Sequence, residues 1–355
     1  MRQVSRYFLY VPSLTILFLL FACTSSAPQT AQDQSQTPPT EACESELSAC
    51  QSQCVDIHWD SAHCGECQRR CHTGQICHQG SCQEHRLSDG ARLSAGKHHT
   101  CYIDDDYQAR CWGNDDYGQS SAPKGSFIQI AANRFHTCAI GADRRVQCWG
   151  DNQDGQASPP DATFLNIASA ASSSHTCGLT TENTIRCWGR NEEGQASPPD
   201  GTFKQISSGT YHNCGIRSDD SIQCWGFDEV LDRGSPPAGA FEQITVGNSH
   251  SCGVTADGDA MCWGESGADG EERTTPPDQK FKQLSTGFAH TCGVVADDTV
   301  QCWGWGYYGQ THDSNGEFRH VVAGTGHNCA ITADGSLRCW GRNYDGETTP
   351  PAHLQ

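Results

Sequence analysis

From Phe127 to the end of the chain, hydrophobic residues come in short bursts. Six times a phenylalanine is followed three residues later by an aliphatic side chain: Phe127/Ile130, Phe164/Ile167, Phe203/Ile206, Phe241/Ile244, Phe281/Leu284 and Phe318/Val321. Ala91/Leu93 is a weaker version of the same step nearer the N-terminus. After each burst comes a turn, then His-[Thr/Ser/Asn]-Cys opening a second run, a tight connection, and a third run closing on Cys-Trp-Gly. Runs this short, bounded by glycine, aspartate and proline, predict strands. Asp257-Gly258 and Asp334-Gly335 mark the tight connection as a hairpin, because glycine accepts the positive φ that such a turn demands. Polar loops ending in Gly-Gln, as at Gly118-Gln119 and Gly309-Gln310, and Pro-Pro steps such as Pro159-Pro160 separate many units from the next. Proline cannot donate to a ladder, so these steps are connections.

Cysteine adds staples to this pattern. Fourteen of the 23 cysteines form seven pairs, each ten residues apart: Cys101/Cys111, Cys138/Cys148, Cys177/Cys187, Cys214/Cys224, Cys252/Cys262, Cys292/Cys302 and Cys329/Cys339. Successive first cysteines are 37, 39, 37, 38, 40 and 37 residues apart, a period that predicts a propeller or solenoid. Within Cys329–Cys339, an odd number of intervening residues and a three-residue loop set the two cysteines opposite each other across the hairpin, within reach of a disulfide. Closing a loop of this length contributes about 2–3 kcal/mol. A tryptophan follows every second cysteine, from Trp112 to Trp340. Neighbouring strand residues face opposite sides, so disulfide and indole fall on different faces of each sheet. That arrangement suits a sheet packed between two others, as propeller blades are.

These residues carry a resemblance. The pattern Gly-x-x-His-Thr-Cys, hairpin, Cys-Trp-Gly-x-Asn-x-x-Gly-Gln, seen over about 89–355, resembles the repeat of the regulator of chromosome condensation superfamily. Eukaryotic members have longer repeats, and the short units look closer to bacterial relatives that include a propeller β-lactamase inhibitor. The resemblance implies an all-β fold, a seven-bladed β-propeller. Eight further cysteines, Cys43, Cys50, Cys54, Cys64, Cys67, Cys71, Cys77 and Cys82, fill a module over 43–83 that resembles the stigma-specific cysteine-rich family. Eight cysteines allow 105 pairings, and the connectivity stays open. No thiol is left over except Cys23.

The N-terminus bears on location. Arg2 and Arg6 precede the apolar run VPSLTILFLLFA, which is too short for a comfortable membrane span and reads as a signal segment over 1–22. Leu20-Phe21-Ala22-Cys23 resembles a bacterial lipobox, which implies lipidation at Cys23. Residues 23–42 are small, polar and proline-containing, a flexible tether. The expectation is an extracytoplasmic lipoprotein on the outer membrane of a Gram-negative bacterium, touching the membrane through its lipid alone. A formal charge of -19 argues against nucleic acid as a partner.

Candidate chemistry is sparse. The repeated histidines (His99, His136, His175, His212, His250, His290 and His327) could ligate metal with nearby cysteines, but an active site is normally unique and these recur in every unit. A structural imidazole at a blade turn, with no metal or cofactor, is the expectation. Cys64-x-x-Cys67 reads as structural, and Asp151–Gly155 as a solvated turn lacking the glutamate of a calcium loop. No catalytic residue stands out. Unit-specific departures are the better guide to binding. Trp305, Tyr307 and Tyr308 either stack on a sugar or anchor a protein, or serve ordinary packing between blades, and Asp104-Asp105-Asp106-Tyr107 with Asp115-Asp116-Tyr117 form either an acidic rim for a basic partner or solvated turns. The sequence therefore predicts a non-enzymatic surface protein that presents a propeller to an unknown protein partner. Inhibition of a secreted enzyme and glycan binding are the alternatives. Signal and disulfides argue against guanine-nucleotide exchange.

Overall fold

The computed structural model describes residues 87–354, except 169, 228–234, 268–271 and 313, together with 48–50, 53–55, 66, 75–78 and 80–84. The signal segment, Cys23, the tether, and Cys43, Cys64, Cys67 and Cys71 lie outside the described residues. In the cysteine-rich module, Ser48–Cys50 pairs with Gln53–Val55 and Gln75–His78 with Ser81–Glu84, both antiparallel. These strands carry Cys50, Cys54, Cys77 and Cys82, and Cys82 is disulfide-bonded.

Seven three-stranded antiparallel sheets follow, each built from strands consecutive in sequence. The second blade is typical: Phe127–Ala132 lies innermost, His136–Gly141 in the middle and Val146–Gly150 outermost. Five more blades repeat it over 164–189, 203–226, 241–264, 281–304 and 318–341. The first blade differs as its weaker sequence suggests. Its inner strand is only Leu93–Ala95, preceded by a helical turn, Asp89–Arg92. Each inner strand packs beside that of the next blade, and the seventh packs on the first. The ring therefore closes by face-to-face packing, with no strand exchanged between the first and last blades.

The hairpins follow their predicted geometry. In the seventh blade Thr332 N–H donates to Ser336 O at 3.0 Å and Gly335 N–H to Thr332 O at 2.9 Å, leaving a three-residue loop. Only two hairpins place glycine at the positive-φ position. The others hold Tyr107, Arg144, Asn183, Asp220 and Asp298 there, with φ of 60–70°.

Opposed cysteines are bonded in every blade: Cys101–Cys111, Cys138–Cys148, Cys177–Cys187, Cys214–Cys224, Cys252–Cys262, Cys292–Cys302 and Cys329–Cys339, with Cα–Cα distances of 4.0–4.1 Å. The two halves of each bridge differ in burial, which the spacing of ten does not reveal. The first cysteine sits on the middle strand and is fully buried. Its partner (Cys111, Cys148, Cys187, Cys224, Cys262, Cys302 or Cys339) sits on the outermost strand and is only part-buried. The outermost strand pairs with another strand on one side alone, although Val300 of the sixth blade also bridges to Ser314, so each disulfide ties an edge to the blade's interior. The disulfide faces one neighbouring blade and the indole the other. At one seam Cys177 and Leu179 pack against Phe203 and Ile206 of the next blade, with Cys187 and Trp225 at the edge. The Phe203 and Trp225 rings, 6.4 Å apart, form one wall of this interface.

Inner strands run parallel around a central cavity of about 180 Å³ and cannot complete a ladder with one another. Side chains complete it. Gln243 Nε2–H donates to Leu284 O at 2.9 Å, while its Oε1 accepts Leu284 N–H at 2.9 Å. Gln129, Gln205 and Gln283 treat Ile167, Ile244 and Val321 the same way. A second rung uses hydroxyls: Ser94, Ser207, Thr245 and Ser285 accept N–H groups of Ala132, Val246, Thr286 and Ala323. The third blade offers only Asn166 and Ala168 at these positions, so its seam with the fourth has neither rung among the described residues. The third blade also carries two extra residues before its histidine. That longer turn reaches the seventh blade at one cavity mouth, where Ser172 and Thr325 hydroxyls lie 2.9 Å apart.

Candidate interaction face

The seven histidines are joints between blades. Each is buried, and its Nε2 meets the polar residue that follows the next blade's histidine: His99 to Thr137 at 2.8 Å, His175 to Asn213 at 2.8 Å, His212 to Ser251 at 3.0 Å, and so on to His327 and Thr100 at 2.9 Å. At four joints (those of His99, His175, His290 and His327) the partner donates in turn to a backbone carbonyl in the loop that leaves the histidine's own blade. Thr137 Oγ1–H goes to Gln119 O at 2.9 Å, and Asn213 Nδ2–H to Gln195 O at 2.8 Å. Trp149 and Trp225 indoles donate to these same carbonyls. With its hydrogen committed to the carbonyl, the hydroxyl must accept from histidine, and Asn213 Oδ1 can only accept. At these four joints Nε2 therefore carries a hydrogen. Burial holds His99, His136, His250 and His327 down to about 3, and His175 and His290 to about 4. The cysteines of each blade are in disulfides, so neither partner of the metal reading is presented as a ligand.

Each histidine pairs in register with the glycine after tryptophan, as His136 does with Gly150. Turns before the histidine and loops after Cys-Trp-Gly therefore share one face of the ring. Among the described residues four large hydrophobic side chains are exposed, and three lie here: Tyr307 (78%), Tyr344 (78%) and Tyr117 (46%). They belong to one chain of contacts. Trp305 stacks on Tyr307 with centroids 6.0 Å apart, and Tyr308 meets both edge-on. Tyr308 then crosses to the seventh blade and meets the Tyr344 ring at 5.8 Å. Arg342 lies over Tyr344 and contacts His98 of the first blade, whose Nδ1 is 3.0 Å from Asp345. His98 stacks with Phe135 of the second blade, and Phe135 packs on Tyr117 at 4.9 Å. The arc spans blades six, seven, one and two.

The predicted aromatic loop is thus divided in its roles. Tyr307 is exposed, whereas Tyr308 is half-buried at the seam between blades, and Trp305 bridges them. The predicted acidic rim is split. Asp115, Asp116 and Tyr117 lie on this face, but Asp104–Asp106 lie at a hairpin on the opposite one, where Asp104 binds Arg110 and Asp105 binds Arg92. Tyr107 is not a rim residue: it is buried among Ile128, Ile140 and Phe164. The Asp151 loop satisfies itself, its carboxylate accepting from Gln153 N–H and Gln156 Nε2–H. Tyr344 and the turn pairs Lys97-His98 and Arg134-Phe135 went unremarked in the sequence. For the two turn pairs the signal is variation at the two positions just before the joint histidine, which hold Asn248-Ser249 and Thr325-Gly326 in other blades.

The regulator of chromosome condensation (RCC1) repeat model matches at 91–119, 127–156, 169–195, 203–229, 241–270, 281–310 and 318–347. The chain belongs to the RCC1 repeat family. A stigma-specific STIG1-like model matches 22–85 of this RCC1-repeat protein. No curated protein matches the sequence. Among solved structures, the ectodomain of the Physcomitrella patens receptor kinase CR4 is 25% identical, with a TM-score of 0.61 over 71% of this chain and 73% of that one. The ectodomain of the Arabidopsis thaliana receptor kinase ACR4 is 24% identical, with a TM-score of 0.63 over 73% and 96%. Prp20p of Saccharomyces cerevisiae is 17% identical, with a TM-score of 0.54 over 65% and 80%. The latter two establish likeness of fold.

Proposed function

We propose that this RCC1-repeat protein is a non-enzymatic, extracellular interaction module that binds a protein partner through the aromatic arc of its turn face. One observation carries the reading: among the described residues, three of the four exposed large hydrophobic side chains fall in one contiguous arc on one face. Aromatic anchors beside polar groups are the side chains that dominate protein interfaces. The seven blade disulfides and the likeness to receptor-kinase ectodomains support an extracellular setting. The lipobox-like Leu20–Cys23 supports anchoring through a lipid on Cys23, at an outer membrane.

The test is cross-linking on intact cells, with wild-type protein, a Tyr307→Ala/Tyr344→Ala variant, and Leu165→Ala on the far face as control. The reading expects one adduct lost with the double variant and kept with the control. Equal capture by all three, or turnover in a hydrolase screen that survives the double variant, refutes it. Loss of lipid label with Cys23→Ser tests the anchor separately.

A further inference from the structure

The turn face holds a charge arrangement that folding does not explain. Lys97 Nζ and the Arg134 guanidinium each lie 5.0 Å from the centroid of the same ring, Phe135. Their backbones are fixed: Lys97 N–H donates to Asn133 O at 3.0 Å and Arg134 N–H to Ser173 O at 3.2 Å, both in the next blade's turn. Both side chains are part-buried. Among the described residues neither is paired with a carboxylate, although the chain carries 42 acidic residues against 23 basic ones. Two other cations on this face are neutralised, Arg190 by Glu192 and Arg342 by Asp345 and Glu347. Burial and the nearby charges of Arg134 and Arg342 hold the Lys97 ammonium below its ordinary pKa. No other blade places a cation at this turn position, which is Thr210, Asn248, Phe288 and Thr325 in the last four.

The Phe135 ring attracts each cation but neutralises neither, so the repulsion between the two like charges is a cost that an anionic occupant removes. We infer that Lys97 and Arg134 receive one or two carboxylates of an acidic polypeptide segment, presented next to an apolar side chain that packs on Phe135 and Tyr117. This rests on the interaction reading and names the partner's chemistry. The surroundings choose polypeptide over a uniform polyanion. Asp115, Asp116 and Asp345 border the cations on the same face, and Asp345 is 3.0 Å from His98. A polyuronate or a nucleic acid carries charge along its whole length and would be driven against those carboxylates. A short acidic peptide need only present charge at one point.

The experiment pans a displayed random peptide library on the full-length, oxidised protein and on a Lys97→Ser/Arg134→Ser variant with an unchanged thermal midpoint. Peptides from the wild type are expected to be enriched in Asp or Glu beside an aliphatic or aromatic residue. Their affinity should fall at least about tenfold on the variant, the effect of one charged hydrogen bond, and fall again with rising salt. Neutral peptides that bind both proteins alike, but fail on Tyr307→Ala/Tyr344→Ala, overturn the carboxylate assignment and leave the interaction face standing. Peptides indifferent to both sets of substitutions overturn the face itself. Polygalacturonate oligomers are the second probe, and binding tighter than the selected peptides overturns the choice of polypeptide.

Discussion

The closing joint of the ring gives a sharp stability test, because one hydroxyl holds both sides. Thr100 Oγ1 accepts His327 Nε2–H at 2.9 Å and donates to Glu347 O at 3.0 Å, all three groups buried. Thr100→Val keeps the shape and removes both bonds. The imidazole N–H is then an unsatisfied buried donor, which costs about 1–3 kcal/mol. Glu347 O keeps the Trp112 indole at 2.9 Å, so its loss is a single neutral bond, about 0.5–1.5 kcal/mol. The expected destabilisation is about 2–4 kcal/mol, read as a lowered urea midpoint at unchanged m-value. In the thermal melt the shift should be roughly 4–16 °C. Thr100→Asn is the control, since the fourth and seventh blades use Asn213 and Asn328 for the same two bonds. It should remain within about 1 kcal/mol of wild type. A loss under about 0.5 kcal/mol for valine, or equal losses for valine and asparagine, would show that the joint does not hold the ring.

Other consequences are open to measurement. The six joint histidines with depressed pKa values stay neutral in the fold but protonate near pH 6.5 when unfolded. Their contribution is therefore full above that pH and is lost as pH falls toward 4. The urea midpoint should drop steadily between pH 6.5 and 4.5, each site contributing up to about 1.4 kcal/mol per pH unit; a flat profile refutes the buried-neutral assignment. Asn166→Gln should supply the missing inner rung between the third and fourth blades, reaching Ile206 as Gln205 reaches Ile244, and stabilise by about 1 kcal/mol in the same melts. Cys177→Ser/Cys187→Ser should cost about 2–3 kcal/mol, against no change if the loop is already fixed in the unfolded chain.

What could be read from the sequence was whatever repeats within one hairpin. The period, the opposed cysteines and the division of disulfide and indole between faces depend on neighbours in sequence, so strand alternation alone delivers them. What could not be read arises between blades. The unequal burial of Cys177 and Cys187 is one case, because it depends on which strand ends up at the rim. Gln243 looks like any outward polar residue in an alternating strand, and only the parallel inner edge gives its amide two backbone partners 41 residues away. Lys97 and Arg134 look like ordinary turn residues until the seam brings both to the Phe135 ring.

Glu347 shows why a departure from a motif need not mark a site. It replaces the glutamine that ends most of these loops, yet the group that joins the blades is the backbone carbonyl. That carbonyl accepts from Thr100 and Trp112 just as Gln119 O accepts from Thr137 and Trp149. The side chain had only to be accommodated: Arg342 Nε–H donates to its Oε1 at 2.7 Å, and Asp345 N–H donates to its Oε2 at 2.8 Å. A buried carboxylate with both oxygens met by donors is a repaired substitution. Lys97 and Arg134 are the opposite case, charged departures for which the described residues supply no carboxylate. On a repetitive scaffold such unrepaired departures are where the proposed binding is to be tested, because motif conformity and repaired motif loss alike describe only the joints.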